Sequence, residues 1–175
     1  MEMSPKRVGR RVRGALLGLV ALAAVVVPAS RADAETTVGR FSTLPAGTTM
    51  GFDIRGVAIL TRTASGTSGR VVVTGLEPGV TYAAHLHAAA CSAANPGGGH
   101  YQNDPPPPAT PPNELWFSST SDPFAGVTAN RVGVGVGRGS AEWVARSEAK
   151  AVVIHFIPPG GTTAGGPKIA CADLA

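Results

Sequence analysis

The chain has 175 residues, with 15 lysines and arginines, 11 aspartates and glutamates, and a formal net charge of +4 at pH 7. Six of the basic and two of the acidic residues fall within the first 34 positions, so the other 141 residues carry nine of each sign and are formally neutral. A neutral remainder excludes nucleic acid as the expected partner, and its length suits one domain.

The first 34 residues have the three parts of a secretory signal peptide. A basic stretch at 6–13 precedes an apolar run at 15–27, and Ala32-Asp33-Ala34 matches a small-residue cleavage site. The apolar run is too short to cross a bilayer comfortably. We therefore expect residues 1–34 to be removed on export. This leaves one domain at 35–175, secreted or in the cell envelope or periplasm, with no membrane span.

Short β-favouring runs separated by Gly, Pro, Asn and Ser make up the rest of the chain, and helical periodicity is scarce. This pattern predicts an all-β protein, a sandwich or a barrel of about eight antiparallel strands. The predicted strands are 36–42, 48–54, 57–63, 69–74, 80–87, 132–136, 140–145, 151–157 and 168–171, with a further extended piece at 114–118. In 132–136, valines alternate with glycines, which predicts one packed apolar face and one face of bare backbone.

A long irregular loop, rich in glycine and proline, is predicted at 92–113. Loops of this length inside a compact domain are usually functional or disordered. The prolines at 105–108 and 111–112 predict a stiff, extended spacer. Just before them, three glycines at 97–99 let the backbone bend tightly ahead of His100.

A His-Leu-His motif ends the predicted strand 80–87. Because side chains alternate between the two faces of a strand, His85 and His87 point the same way, about 7 Å apart along the strand. Two imidazoles placed in this way can hold one metal ion. The alternative is a pair of surface histidines on a solvated strand face.

The other two histidines of the chain are placed to join this pair. His100 lies in the long loop, and alternation in the predicted strand 151–157 puts His155 on the face opposite Ile154 and Phe156. We expect all four imidazoles to face outward from the sheet. Histidine is the commonest metal ligand, and imidazole nitrogen suits copper and zinc.

Both cysteines, Cys91 and Cys171, lie outside the signal segment. An even pair in an exported protein indicates one disulfide. The bond would close a loop of about 80 residues and stabilise the fold by up to roughly 4–5 kcal/mol. It would also tie the long loop, and with it His100, to the last predicted strand.

These motifs, in this order and roughly at this spacing, resemble those of the Cu/Zn superoxide dismutases. The resemblance extends over about residues 48–173. Its five pieces are His85-Leu86-His87, Cys91, Pro96-Gly97-Gly98-Gly99-His100-Tyr101, Val152-Val153-Ile154-His155 and Gly165-Gly166-Pro167-Lys168-Ile169-Ala170-Cys171. The resemblance implies a Greek-key β-barrel or sandwich, copper as the cofactor and the superoxide anion as the substrate.

The family's functional residues can be carried over to positions of this chain. The resemblance implies copper ligands at His85, His87, His100 and His155 and the family disulfide between Cys91 and Cys171. It places the arginine that guides superoxide at Lys168, three residues before the last cysteine. His100, which can supply a proton, and Lys168 are therefore the expected catalytic residues.

The zinc site of the family has no counterpart here. All four histidines are used as copper ligands, and a zinc site needs about three or four nitrogen, sulfur or oxygen ligands. We therefore expect copper and no zinc, as in the copper-only branch of the family. Glu114 lies near the position of the zinc-site aspartate. It would either orient His100 by a hydrogen bond to its free nitrogen or be a solvated loop carboxylate.

Two further departures concern the attraction of superoxide. Lys168 keeps the positive charge of the family's arginine but lacks the planar fork that positions an anion through two hydrogen bonds. The loop at 158–164 is short and uncharged where the family carries a charged loop. We therefore expect weaker steering of the anion and a more open copper site.

The sequence thus predicts an exported, copper-only superoxide dismutase that converts superoxide to O2 and H2O2. A secreted copper-binding or sequestration protein without turnover is the alternative, and Lys168 and the short loop favour it. A third interpretation is a structural or adhesive β-sandwich whose histidines are incidental. The neutral surface points to no particular oligomeric state.

Overall fold

The structure, a computed structural model, describes Met1 and residues 34–105, 113–158 and 166–174. Three features predicted from the sequence lie wholly or largely outside these residues: the signal segment 1–34, the proline run after Pro105, and the uncharged loop 158–164. Within the described ranges, no helix is both long enough and apolar enough to cross a membrane.

The fold is all-β, as predicted, and its eight antiparallel strands hydrogen-bond into one sheet that nearly closes into a barrel. The strands are β1 (Glu35–Thr43), β2 (Arg55–Thr63), β3 (Gly66–Thr74), β4 (Thr81–His87), β5 (Val127–Thr128), β6 (Gly135–Ala141), β7 (Ala151–Phe156) and β8 (Lys168–Asp173). Their order in the sheet is β5-β4-β7-β8-β1-β2-β3-β6. Because β3 pairs with β6 and β4 pairs with β7, the connections cross over in the Greek-key manner.

The free edge of β4 is covered by three segments in turn. β5 pairs with its first residues, the backbone at 115–117 with its middle, and the backbone at 99–101 with its end. The segment 115–118 also pairs with β6, where Ser118 and Arg138 exchange two backbone hydrogen bonds of 2.9 and 2.8 Å. This segment therefore lies between the two edge strands and completes the barrel wall.

Alternation along the strands separates the barrel core from an outer layer. Tyr82, Ala84 and Leu86 of β4 point into the barrel and are at most 1% exposed, and Val152 and Ile154 of β7 join them. The outer face of β7 carries a second, smaller apolar cluster made of Leu44, Ala151, Val153, Cys171 and the neighbouring Cys91. The barrel is thus filled by apolar side chains, and the opposite face of β4 and β7 is left for polar ones.

The predicted strand 48–54 is wrong. Residues Pro45–Thr49 instead form the short helix α1, and a turn at Met50 and Gly51 follows it. Pro45 stands in the first helical turn, where its missing N–H costs little, and Gly51 has a φ of +85°. The proline and the glycine that bracket this stretch outweigh its β-favouring threonines.

The structure also revises the two strands predicted at 132–136 and 140–145. One strand, β6, replaces both of them. Its glycines face the barrel interior, whereas Val132 and Val136 are 78% and 36% exposed. The predicted packing is therefore reversed, since the bare backbone faces inward and the valines face outward.

The glycines of β6 make room for the segment that completes the barrel wall. A Cβ at Gly137 would lie 2.7 Å from the side chain of Val127, and a Cβ at Gly139 would collide with the carbonyl oxygen of Trp116. Glycine at these positions therefore lets the backbone of 115–118 lie directly against β6.

Gly139→Ala should lower the free energy of unfolding by about 1–3 kcal/mol, because the added methyl group collides with the backbone of Trp116 and lies 2.8 Å from Leu115. The urea midpoint measures this loss. Gly99→Ala is the matched control, since nothing lies within 4 Å of a Cβ there, and its effect should stay within about 0.5 kcal/mol. Equal midpoints for the two variants would contradict the packing argument.

Candidate metal centre

Four imidazoles meet on the outer face of β4 and β7. One ring nitrogen from each of His85, His87, His100 and His155 lies within 4.8 Å of the other three. The ring centroid of His85 is 3.9 Å from that of His100 and 4.7 Å from that of His155. Within the described ranges, this is the one group of three or more His, Cys, Asp or Glu side chains placed to hold an ion. The four histidines singled out in the sequence therefore lie together.

Strand pairing positions three of the four rings. His85 and His87 project from the same face of β4, as alternation requires, and their stacked rings are 4.8 Å apart. β7 is antiparallel to β4, and His155 is paired with Ala83. The backbone ladder between the two strands therefore fixes the positions of these three histidines.

Backbone pairing of the loop to β4 positions the fourth ring. The backbone of His100 bridges to the end of β4, and Tyr101 N–H donates to the Leu86 carbonyl over 2.9 Å. Ahead of this pairing, Gly97 and Gly98 have φ values of +74° and +64°, which glycine adopts without strain. The tight bend expected at these glycines is thus present.

The same loop is tied to β8 at two points. Cys91 and Cys171 form a disulfide with Cα atoms 5.7 Å apart. The Lys168 ammonium donates to Asn95 Oδ1 over 2.8 Å and to the carbonyls of residues 96 and 98 over 2.9 and 2.5 Å. All three ammonium protons of Lys168 therefore have acceptors in the loop.

The histidines are buried, which corrects the expectation that all four face solvent. His85 and His87 are fully buried, His155 is 3% exposed, and the side chain of His100 is 22% exposed. They lie on the outer face of the sheet, as alternation predicts, but the loop after β4 covers that face. His100 therefore marks the more open side of the cluster.

Hydrogen bonds to carbonyl groups define which ring nitrogen carries the proton on two strand histidines. Nδ1 of His87 lies 3.2 Å from the Gly98 carbonyl, and Nδ1 of His155 lies 2.8 Å from the Gly166 carbonyl. A carbonyl oxygen only accepts, so each Nδ1 must donate. In the neutral ring, Nε2 is then left with its lone pair directed into the cluster.

Burial keeps these rings neutral. It lowers the pKa of His87 to about 3 and the pKa of His155 to about 4, and the neighbouring imidazoles and Lys168 lower both further. Burial and the three other rings also hold the pKa of His85 well below its usual value. The nitrogens are therefore available to a metal ion at neutral pH without the loss of a proton.

The arrangement of these neutral rings fits a bound cation. The Nε2 atoms of His87 and His155 lie 3.2 Å apart, so two lone pairs face each other. Both ring nitrogens of His85 are buried and have no hydrogen-bond partner among the described residues. A buried polar nitrogen without a partner is unfavourable in the protein alone. An all-imidazole donor set suits copper or zinc.

Glu114 and Trp116 extend the cluster on the side of His100. Glu114 is 3% exposed, so it is not a solvated loop carboxylate, and both of its oxygens lie 3.1 Å from His100 Nδ1. Trp116 Nε1–H donates to Glu114 Oε2 over 2.7 Å, and the Trp116 ring lies 4.6 Å from that of His85. The sequence analysis missed Trp116. The spacing of two residues in an extended segment, which puts Glu114 and Trp116 on one face, could have found it.

No protein-family model matches the chain, and no curated protein matches it. Among solved structures, the chain is similar to the Cu/Zn superoxide dismutase from Brucella abortus. The two share 20% sequence identity with a TM-score of 0.49, and the similarity covers 81% of this chain and 100% of that chain.

The metal-free protein should lose stability as the pH falls from about 7 to about 5. In the unfolded chain, histidine binds a proton near pH 6.5, whereas His87 and His155 stay neutral in the fold down to about pH 3 and 4. The unfolded state then binds more protons, so the free energy of unfolding decreases over this interval.

Urea midpoints of the metal-free protein across this range measure the effect. A His87→Gln variant, which removes one of the depressed groups, should show a shallower decrease between the same two pH values. A midpoint that stays constant from about pH 7 to about pH 5 would contradict the neutral, buried state of the cluster.

Proposed function

We propose that this protein is an exported, copper-dependent superoxide dismutase. The observation that carries the proposal is the cluster of four converging imidazoles, in which two unprotonated nitrogens lie 3.2 Å apart at a buried position. Imidazole suits copper as a ligand, and the partial exposure of His100 leaves an approach for a small anion.

The copper ligands would be His85, His87, His100 and His155. When bound, copper supplies one-electron redox chemistry, by which one superoxide is oxidised to O2 and a second, with two protons, is reduced to H2O2. Two superoxide anions and two protons thus give one O2 and one H2O2, and no further oxidant or reductant is needed.

The strand histidines supply a fixed set of nitrogens. His87 and His155 are held by their Nδ1 hydrogen bonds to loop carbonyls, and His85 is packed between the other rings and Trp116. Because the rings are already oriented and dehydrated, little reorganisation is needed when the charge at the site changes.

His100 is the residue that we assign to proton transfer. Glu114 accepts the Nδ1 proton of His100, so Nε2 is the nitrogen directed toward the cluster and its open side. A proton held at Nε2 can pass to reduced dioxygen, and solvent can replace it because the ring is partly exposed. Trp116 fixes Glu114 from the other side, which keeps the ring oriented without a second metal. We therefore propose copper alone.

Lys168 provides a positive charge close to the site. It contacts the Gly98 carbonyl, which also accepts the hydrogen bond of His87. Because the ammonium protons have acceptors in the loop, we assign Lys168 an attraction of superoxide through its charge rather than through a direct hydrogen bond. Its second role is to hold the loop that covers the cluster.

The proposed location outside the cytoplasm has two supports. The disulfide between Cys91 and Cys171 fits an oxidising compartment. The first 34 residues have the composition of a cleavable export signal.

A copper-binding protein without turnover is the second candidate. The observation that favours it is the engagement of Lys168, whose ammonium already donates to three acceptors of the loop. Burial of three of the four rings also suits tight retention of an ion. In this case the cluster would sequester or deliver copper, and superoxide would not be a substrate.

Superoxide decay in the presence of the copper-loaded protein tests the proposal. We expect catalytic decay that is lost in His155→Ala, because this variant removes one of the buried ligands, and retained in Arg40→Ala, an exposed change on β1. Stoichiometric copper with decay no faster than a free copper complex would favour sequestration. No stoichiometric copper, with unchanged stability of His85→Ala, would mean that the histidines are incidental.

Lys168→Met should lower kcat/KM for superoxide by about tenfold and flatten its dependence on ionic strength, since the charge that attracts the anion is lost. Stopped-flow decay at several salt concentrations measures both effects. Lys168→Arg, which keeps the charge, should retain the salt dependence. If copper affinity falls in Lys168→Met while the salt dependence is unchanged, the residue serves only to hold the loop.

A further inference from the structure

Two arginines lie opposite each other on the outer face of the barrel, beside the metal centre but separate from its histidines. Arg70 of β3 and Arg138 of β6 are paired in register, and both are exposed. Like charges directly opposite each other on neighbouring strands are destabilising. The ion pairs formed within the described part of the chain include neither guanidinium. The protein therefore maintains an unfavourable pair of charges at this position without a compensating carboxylate.

These arginines line a groove with a volume of about 980 Å³. We call it the arginine groove, and it is bounded by Arg70, Arg138, Trp116 and Phe124 together with a set of hydroxyl side chains. The hydroxyls come from Thr61, Ser68, Thr120, Ser121 and Ser140. The groove thus offers two positive charges and several hydroxyl groups within one concave surface.

The acidic side chain that lines the arginine groove is not available to the arginines. Glu114 is 3% exposed, and its oxygens accept hydrogen bonds from His100 and Trp116. The guanidinium groups therefore remain free for an external anion. A planar guanidinium matches a carboxylate through two parallel hydrogen bonds.

The rim of the groove supplies an apolar surface. Phe124 is 44% exposed, and its ring packs at 5.6 Å against that of Trp116, which fixes its position. An exposed aromatic ring beside hydroxyl groups provides packing for an apolar face and hydrogen bonds for a polar edge. A pyranose ring has both.

We propose that the arginine groove binds a carboxylated oligosaccharide. Two guanidinium groups from adjacent strands would pair with carboxylates of the sugar chain, the hydroxyl side chains would exchange hydrogen bonds with its hydroxyl groups, and Phe124 would pack against a sugar ring. The groove volume is of the size that ligand sites have, whereas a small inorganic anion would fill little of it. None of the four histidines lines the groove, so this binding needs no copper.

Calorimetric titration of the purified protein with an oligogalacturonate tests the proposal. We expect saturable binding that is weakened about tenfold or more in the double variant Arg70→Gln/Arg138→Gln. The matched control is Arg40→Gln/Arg131→Gln, which removes the same charge from exposed positions outside the groove and should bind as the unmodified protein does. A neutral malto-oligosaccharide of the same length should not bind.

Three results would overturn the proposal. They are an absence of oligogalacturonate binding, equal weakening in the two double variants, and equal binding of inorganic phosphate at the same concentration of charge. Misfolding does not obscure the outcome, because removal of two opposed like charges should leave the urea midpoint of Arg70→Gln/Arg138→Gln at or above that of the unmodified protein.

Discussion

The structure depends on the burial of neutral imidazoles against one face of two paired strands. Alone, the cluster is unfavourable, because nitrogen lone pairs converge where water is excluded. The rest of the fold offsets this cost. A barrel of apolar side chains lies beneath the histidines, and a loop fixed by a disulfide, a lysine and backbone pairing lies above them.

Much of the fold follows from local patterns in the sequence. Alternation of apolar side chains in β4 and β7 identifies the strands and the face that carries the histidines, because period-two patterning is a property of the strand itself. Burial of the same rings could not be predicted, since it depends on a loop whose covering position is set by contacts with β8. The helix α1 was missed because its threonines favour strands while its proline fixes the actual turn.

The glycines of β6 show how a pattern can be read with the wrong face inward. Valines normally face a core, and here they face solvent because the segment 115–118 needs the space that glycine leaves. This long-range requirement has no local signal. It matters for the metal centre, because the same segment carries Glu114 and Trp116 to their places beside His100.

The covering loop has a kinetic consequence. Three of the four rings lie beneath a segment that is anchored at Cys91 and again by Lys168, so an ion at their centre can exchange with solvent only when that segment opens locally. Residence time would then be governed by the frequency of opening instead of by coordination strength. Such a protein retains its ion through dilution and washing, and apparent affinities measured before slow equilibration is complete would be underestimates.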